Sequence, residues 1–401
     1  MPYFKRSQRL AAFLVALCLL TAVAVQAAGA TALQAALVFD KATFSVLAEN
    51  QVTRTPPPAV SAASYVLADA SDGTILAEGD AHTRRPMAST TKIMTALVVL
   101  DRCDPEETVT VSPVAVGTEG SSVYLYAGEQ ISVRSLLYAL LLSSANDAAV
   151  ALACHVAGDV PAFAALMNEK AAALSLVDTH FCNPHGLHEE AHYTTAADLA
   201  ALTAAALRDP LFAEIVATKR YSAPQQGTDA SRLFCNHNRL LQSFEGAIGV
   251  KTGFTKRSGR CLVSAASREG LTLIAVTLNA PSDWQDHTAL LEWGFANHVA
   301  LALTPRLAPL PVVGGTTTTV GIRAETQPQL TLPASHGEIT CTVELPRFLY
   351  AGFAKNAPVG RAVYRMGDEI LTELPLYTES AVPGVKHHAS LWERIKNLFQ
   401  G

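Results

Sequence analysis

Residues 247–278 read AIGVKTGFTKRSGRCLVSAASREGLTLIAVTL. Within them, 262–266 and 271–278 are β-rich runs separated by Arg268-Glu269-Gly270, which predicts a hairpin, and the strand-like run 247–254 precedes both. A second pair of short strand-like runs, 65–68 and 74–77, flanks Asp72-Gly73 far upstream. The sequence between the two strand sets is helical in character. Residues 89–100 are almost entirely apolar after their first turn, as expected of a helix buried on most sides. Residues 135–142 and 147–157 read as two more helices, the second stopped by Gly158, and 284–297 resumes helical periodicity. Strands at both ends with helices between predict an antiparallel sheet built from distant parts of the chain and flanked by a helical cluster. This is an α/β (α+β) domain over residues 61–300.

The flanks differ in character. Residues 304–380 begin with Pro305, Pro309 and Pro311, pass through Gly314-Gly315 and a Thr run, and continue as short β segments with no helical period, so a separate small all-β domain is expected there. Residues 31–60 are Ala-rich and close on TPPPA, the composition of an extended linker. At the N-terminus Lys5, Arg6 and Arg9 precede an uncharged run from Leu10 to Ala28 that ends on small residues, the pattern of a secretory signal peptide over 1–30. At the other end, Leu391, Trp392, Ile395, Leu398 and Phe399 share one helical face of residues 386–401, while Lys386, Arg394 and Lys396 lie elsewhere. An amphipathic helix of that kind suits a membrane interface.

The 401 residues are 49% hydrophobic and 16% charged, with a formal net charge of -5 and a mean hydropathy of +0.22. These values exclude disorder, collagen-like repeats and a nucleic-acid-binding surface. After the N-terminal run no stretch reaches ~18 residues free of charge and turn signals, so a multi-span protein is not expected. Loss of residues 1–30 removes three positive charges and no negative ones, leaving 27 basic against 35 acidic side chains, or -8. The mature chain is therefore expected to be acidic and to work outside the cytoplasm. Its six cysteines, Cys103, Cys154, Cys182, Cys235, Cys261 and Cys341, are scattered singly, which favours free thiols over a disulfide framework.

Three short signals occur in order: Ser89-Thr90-Thr91-Lys92, Ser144-Ala145-Asn146 and Lys251-Thr252-Gly253. Each is weak alone, but each falls where its chemistry requires. Ser89 opens a buried helix, beside free backbone N–H groups at the positive end of the dipole, and Lys92 faces the same side one turn later. An amine in an apolar site beside a second cation, for which Lys251 is the candidate, loses basicity enough to accept the serine proton. Ser144 and Asn146 stand at the start of another helix, where a hydroxyl can relay a proton and an amide can hold a peptide group. The ammonium of Lys251 and the hydroxyl of Thr252 suit a carboxylate, and Gly253 lets a substrate backbone approach closely.

With these elements the sequence resembles the penicillin-recognising serine D,D-peptidases, and more closely the low-molecular-mass D-alanyl-D-alanine carboxypeptidases of the penicillin-binding protein 5 type. The resemblance rests on RPMASTTKIMTA at 85–96, LSSANDA at 142–148, NPHGL at 183–187, TTAADL at 194–199 and VKTGFT at 250–255, and it extends over the β region and the C-terminal amphipathic helix. It implies a β-lactamase/transpeptidase-like fold followed by a small all-β domain. It implies a cofactor-free enzyme that removes the terminal D-alanine from peptidoglycan pentapeptide stems and is acylated by β-lactam antibiotics. The expected location is the outer face of the bacterial cytoplasmic membrane, with the C-terminal helix on the membrane surface. Carried over by position, Ser89 would be the acylated nucleophile, Lys92 its base, and Ser144 and Asn146 the proton relay and substrate amide contact. Lys251 and Thr252 would hold the terminal carboxylate, and the N–H groups of Ser89 and Phe254 would form the oxyanion hole. His185 and Asp198 are expected to support the site from behind. Many relatives have Arg before that Asp where this chain has Ala197, so a local salt bridge is expected to be missing.

A competing motif is His188-Glu189-Glu190-Ala191-His192, a literal H-E-x-x-H. Zinc catalysis requires that motif on a stable helix, with a third ligand and an open coordination position. Here it lies between Asn183-Pro184, Gly186 and Thr194-Thr195, and Thr195 can cap a following helix, so it is expected to be a loop with no metal. Other readings are a class A-like β-lactamase, which needs a second base on a recognisable loop that this sequence lacks, and a non-catalytic peptidoglycan-binding protein, which would have no use for Ser89, Lys92 and Lys251. Carboxypeptidase rather than D,D-endopeptidase or transpeptidase action is implied by the resemblance alone.

Overall fold

The computed structural model describes residues 39–51, 55–224, 230–326 and 329–385. The expected signal peptide (1–30) and amphipathic helix (386–401) lie outside the described residues. The described residues divide into two compact units, one within 52–301 together with 329–335, the other formed by 39–51, 302–326 and 336–385.

The smaller unit corrects the linker expectation. Residues within 31–60 form β1 (Phe39–Leu47), paired antiparallel with β16 (Ile339–Pro346) from Phe39 opposite Pro346 to Leu47 opposite Ile339. Most β1 residues are exposed. A strand at a sheet edge, held by its ladder rather than by burial, carries little of the apolar alternation that reveals strands in a sequence. The sheet runs in the order β1, β16, β18 (Pro358–Met366), β19 (Glu369–Thr378), β14 (Ile322–Ala324), with antiparallel neighbours throughout. On β16, Ile339, Cys341, Val343 and Leu345 are buried on one face at the expected period of two. A smaller sheet joins β13 (Thr319–Val320), β12 (Leu310–Val313) and β17 (Leu349–Tyr350).

In the larger unit, β2 (Ser64–Asp69), β3 (Ile75–Gly79), β8 (Ala247–Thr255), β9 (Gly259–Arg268) and β10 (Leu271–Leu278) make one antiparallel sheet in the order β3, β2, β10, β9, β8. Both predicted hairpins are present in it. The sheet is buried on both faces, which explains why its inner strands read as continuous apolar runs. Val66, Ala68, Val263, Ala265, Ile274 and Val276 join the core of the helical cluster. The alternate residues Leu67, Ala266, Leu273 and Ala275 pack with Leu290 and Leu291 of α8 (Asp283–Asn297) on the opposite face.

The helical cluster consists of a 3-10 turn (Ala88–Thr91) running into α1 (Lys92–Leu100), then α2 (Val133–Leu142), α3 (Asn146–Ala157), α4 (Val160–Ala173), α5 (Ala196–Leu207) and α6 (Pro210–Ala217). Side chains of Ser132, Asp159, Thr195 and Asp209 accept N–H bonds at the starts of α2, α4, α5 and α6, and Gly158, with φ 87°, closes α3. Short pairs complete the unit: β4 (Thr108–Thr110) with β5 (Gln130–Ser132), β6 (Arg220–Pro224) with β7 (Ser231–Cys235), and β11 (His298–Ala302) with β15 (Gln329–Pro333). A short α7 (Leu240–Ser243) precedes β8. No single helix among the described residues is long and apolar enough to cross a membrane. All six described cysteines are free.

Candidate active site

Ser89 lies half-buried on the 3-10 turn rather than on the α-helix itself. A 3-10 turn has three residues per turn, so positions i and i+3 eclipse. Lys92, the first residue of α1, is thereby set directly beside Ser89, with Nζ 3.0 Å from Oγ. Ala88, just before the serine, has φ 50°, and Ser144, just before α3, has φ 59°. Non-glycine residues in that left-handed region cost about 1–3 kcal/mol each and persist only where their surroundings enforce them.

Lys92 is fully buried and its Nζ has three neighbours: Ser89 Oγ, Asn146 Oδ1 at 2.7 Å and the His185 carbonyl at 2.8 Å. Asn146 is oriented by a second bond, from Nδ2 to the Glu119 carbonyl at 2.6 Å. Burial, then the Lys251 charge, pushes Lys92 well below its ordinary basicity, and Asp147 partly opposes this. Asp147 accepts from the N–H groups of Val123 and Leu125 and from Ser122 Oγ, so this buried carboxylate pins the loop over the start of α3. Lys251 is also buried, and desolvation lowers it to about 7.

Lys251, Thr252 and Gly253 lie on β8, which is at the sheet edge and paired with β9 on one side only. Lys251 Nζ donates to the Thr252 carbonyl at 3.0 Å. A Cβ on Gly253 would come within 3.1 Å of the Ser89 nitrogen and 3.2 Å of the Met87 carbonyl, so glycine lets β8 lie against the serine turn. Phe254 follows, 65% exposed, opposite Arg260 of β9.

His185 touches the site through its backbone, and burial followed by the Lys92 charge lowers its imidazole to about 4. Gly186 has φ 89°, and a Cβ there would collide with the Ala88 carbonyl, so the NPHG loop packs directly under the serine turn. Asp198 does not reach the site. It accepts from Asp178 N–H and Thr179 Oγ1 and sits in the first turn of α5. With Ala197 offering no charge, Arg84 supplies the ion pair to Asp178 at 2.8 Å, an exposed bond of small energetic weight. The structure therefore brings together Ser89, Lys92, Asn146, Lys251, Gly253 and His185, places Ser144, Thr252 and Phe254 on the same short segments, and leaves Asp198 outside.

The H-E-x-x-H segment is a loop. His192 is buried and both ring nitrogens are engaged: Nδ1 accepts from Cys182 N–H at 3.0 Å and Nε2 faces Thr91 Oγ1 at 2.8 Å. Because the Thr91 hydroxyl donates to the Ala88 carbonyl, Nε2 carries the proton. Burial foremost lowers His192 to about 3, so it stays neutral. Glu189 accepts from Asn183, and His188 faces Glu190. Sequence reasoning missed His192 as a prop of the serine turn, Asp147 as the anchor of the overlying loop, and His237. Lost hydration and then the Lys251 charge push His237 below its ordinary value, although the residue is exposed overall. The adjacency of Asp147 to Ser144-Ala145-Asn146 was the one available sequence signal among these.

Comparison with known proteins gives concordant results. D-alanyl-D-alanine carboxypeptidase DacD of Salmonella typhimurium is 32% identical over 91% of this chain and 97% of its own length. Penicillin binding protein 5 from Haemophilus influenzae superposes with a TM-score of 0.67 at 29% identity, covering 82% of this chain and 99% of that one. The Streptomyces K15 DD-transpeptidase matches with a TM-score of 0.57 at 36% identity, over 60% of this chain and 100% of its own. Residues 49–282, which carry all three motifs, match the D-alanyl-D-alanine carboxypeptidase model of peptidase family S11, and the chain belongs to that family.

Proposed function

We propose that the D-alanyl-D-alanine carboxypeptidase activity of this chain runs through an acyl-enzyme at Ser89, with Lys92 as its base. The observation that carries the assignment is the bonding of Lys92. A neutral amine has two N–H groups and one lone pair. Asn146 Oδ1 and the His185 carbonyl can only accept, so they take the two N–H groups and leave the lone pair for the Ser89 hydroxyl. Burial and then the Lys251 charge hold the amine well below its ordinary basicity, which favours this neutral form.

In this reading Ser89 Oγ gives its proton to Lys92 Nζ and attacks the carbonyl of the penultimate D-alanine. The N–H groups of Ser89 and Phe254 receive the developing oxyanion. Ser144 relays the proton from Lys92 to the departing D-alanine amine, and water then cleaves the acyl-serine ester. Lys251 and Thr252 hold the terminal carboxylate, and the free edge of β8 offers backbone groups for an extended stem peptide to pair with. One N–H of Asn146 Nδ2 is spent on Glu119, which leaves the second for a substrate carbonyl. A β-lactam, presenting a strained amide and a carboxylate, would acylate Ser89 by the same steps. As an exported peptidoglycan-acting enzyme the chain is further assigned to the outer face of the cytoplasmic membrane, held by residues 386–401. The support for this is the apolar face and basic flanks of that sequence.

The test incubates purified protein with fluorescent penicillin and with a D-Ala-D-Ala stem peptide, with and without EDTA. Ser89→Ala is expected to lose both label and D-alanine release, and EDTA is expected to change neither. Activity that persists in Ser89→Ala, or is abolished by EDTA, would falsify the serine mechanism.

A further inference from the structure

One cluster of ligand-bearing side chains lies apart from the serine site. Cys103 Sγ, a Glu107 carboxylate oxygen and a His155 ring nitrogen all lie within 4.8 Å of one another, and His155 Nε2 is 3.1 Å from Glu107 Oε1. Cys103 and Glu107 are four residues apart in the connection from α1 to β4, and His155 is in the last turn of α3. His155 is nine residues beyond Asn146 on α3, or about 14 Å along the helix. The cluster therefore belongs to the far ends of the two helices whose first residues are Lys92 and Asn146.

We propose that Cys103, Glu107 and His155 form a zinc site. A thiolate, an imidazole and a carboxylate are the ligand types zinc accepts, with water in the fourth position. In a tetrahedral site with zinc bonds of about 2.0–2.3 Å the edges between ligand atoms are about 3.4–3.6 Å. The His155–Glu107 separation is already close to that, and Cys103 Sγ lies within 4.8 Å of both partners. The backbone is fixed for it: Cys103 N–H donates to the Val99 carbonyl, Glu107 N–H to the Asp104 carbonyl, and the Glu107 carbonyl accepts from Val133 N–H. Cys103 and His155 are partly exposed and Glu107 is open to solvent, so an ion can enter. Binding displaces the Cys103 proton to solvent, since the thiolate is the ligand. A bound ion would tie α1, β4 and α3 together behind the catalytic residues, and by linkage would stabilise the folded chain.

The test uses the full signal-cleaved chain, stripped with chelator and kept reduced with a phosphine, titrated with Zn²⁺ and with Co²⁺ as a spectroscopic probe. Wild type is expected to bind one equivalent, to show a thiolate-to-cobalt charge-transfer band, and to melt at a higher temperature with zinc. Cys103→Ser is expected to lose the band, and both Cys103→Ser and His155→Gln to bind zinc about 10–100-fold more weakly or worse. Cys182→Ser, which changes the other cysteine close to an imidazole, should keep band and affinity. Penicillin acylation of the two ligand variants reports that they are folded. The site is refuted if wild type gives no band, if the band survives in Cys103→Ser, or if Cys182→Ser abolishes it. None of these outcomes depends on whether Ser89 is the nucleophile.

Discussion

At the residue scale the decisive feature is a pair of buried lysines, of which Lys251 makes Lys92 a weaker base. Desolvation dominates for both, and the Lys251 charge adds to the lowering of Lys92. Replacing Lys251 by Met removes a positive neighbour, so Lys92 is expected to hold its proton to higher pH. The neutral, reactive fraction then falls at any given pH below that point. The acid limb of the acylation rate with fluorescent penicillin should therefore move to higher pH in Lys251→Met, while the plateau drops about 10–100-fold for the lost carboxylate contact. A limb that stays in place or moves to lower pH would show that Lys251 does not tune Lys92. The Ser89–Lys92 pair was legible in the sequence because i,i+3 spacing is a local property. The approach of Lys251 was legible only as a candidate, since the sheet that brings it there is assembled from distant strands.

At the element scale the site depends on how the 3-10 turn of Ser89 is held from below. Gly186 packs against the Ala88 carbonyl, and Thr91 Oγ1 donates to that same carbonyl while accepting from His192. The H-E-x-x-H motif was correctly expected to be a loop, because Pro184, Gly186 and the Thr195 cap leave no room for a helix. What its second histidine does was not legible, since it depends on which backbone N–H meets Nδ1. His192→Ala strands Cys182 N–H and opens a cavity beneath the turn. The expected cost is about 2–4 kcal/mol of stability in denaturant titration, with slower acylation at temperatures where the variant is still folded. His192→Gln, which keeps a polar amide in the space, should recover part of both. A variant with unchanged acylation at full stability loss would reduce His192 to a core residue with no hold on Ser89.

At the scale of the whole molecule, sequence patterning revealed buried strands and missed partnerships. β9 and β10 announced themselves as continuous apolar runs, whereas β1 was concealed by its exposure, and the return of β15 to the larger unit, where Thr331 bonds the buried Asp69, has no signature in composition. Charge distribution is legible at this scale and bears on location. A chain without residues 1–30 would carry -8 and be repelled by an anionic bilayer, so attachment to one would require local positive charge beside an apolar face. If helical, as proposed, the sequence of residues 386–401 would put Trp392, Ile395, Leu398 and Phe399 on one side, with Lys386, Arg394 and Lys396 elsewhere. Each basic residue near such a surface contributes about 1 kcal/mol, screened by salt. Truncation after Val385 is therefore expected to release the signal-cleaved protein from vesicles containing anionic lipid while leaving D-alanine release from a soluble stem peptide intact. For the full chain, raising the salt should weaken binding without eliminating it, because the aromatic and aliphatic face still partitions. Truncated protein that sediments with vesicles as well as the full chain would move the membrane contact elsewhere in the molecule.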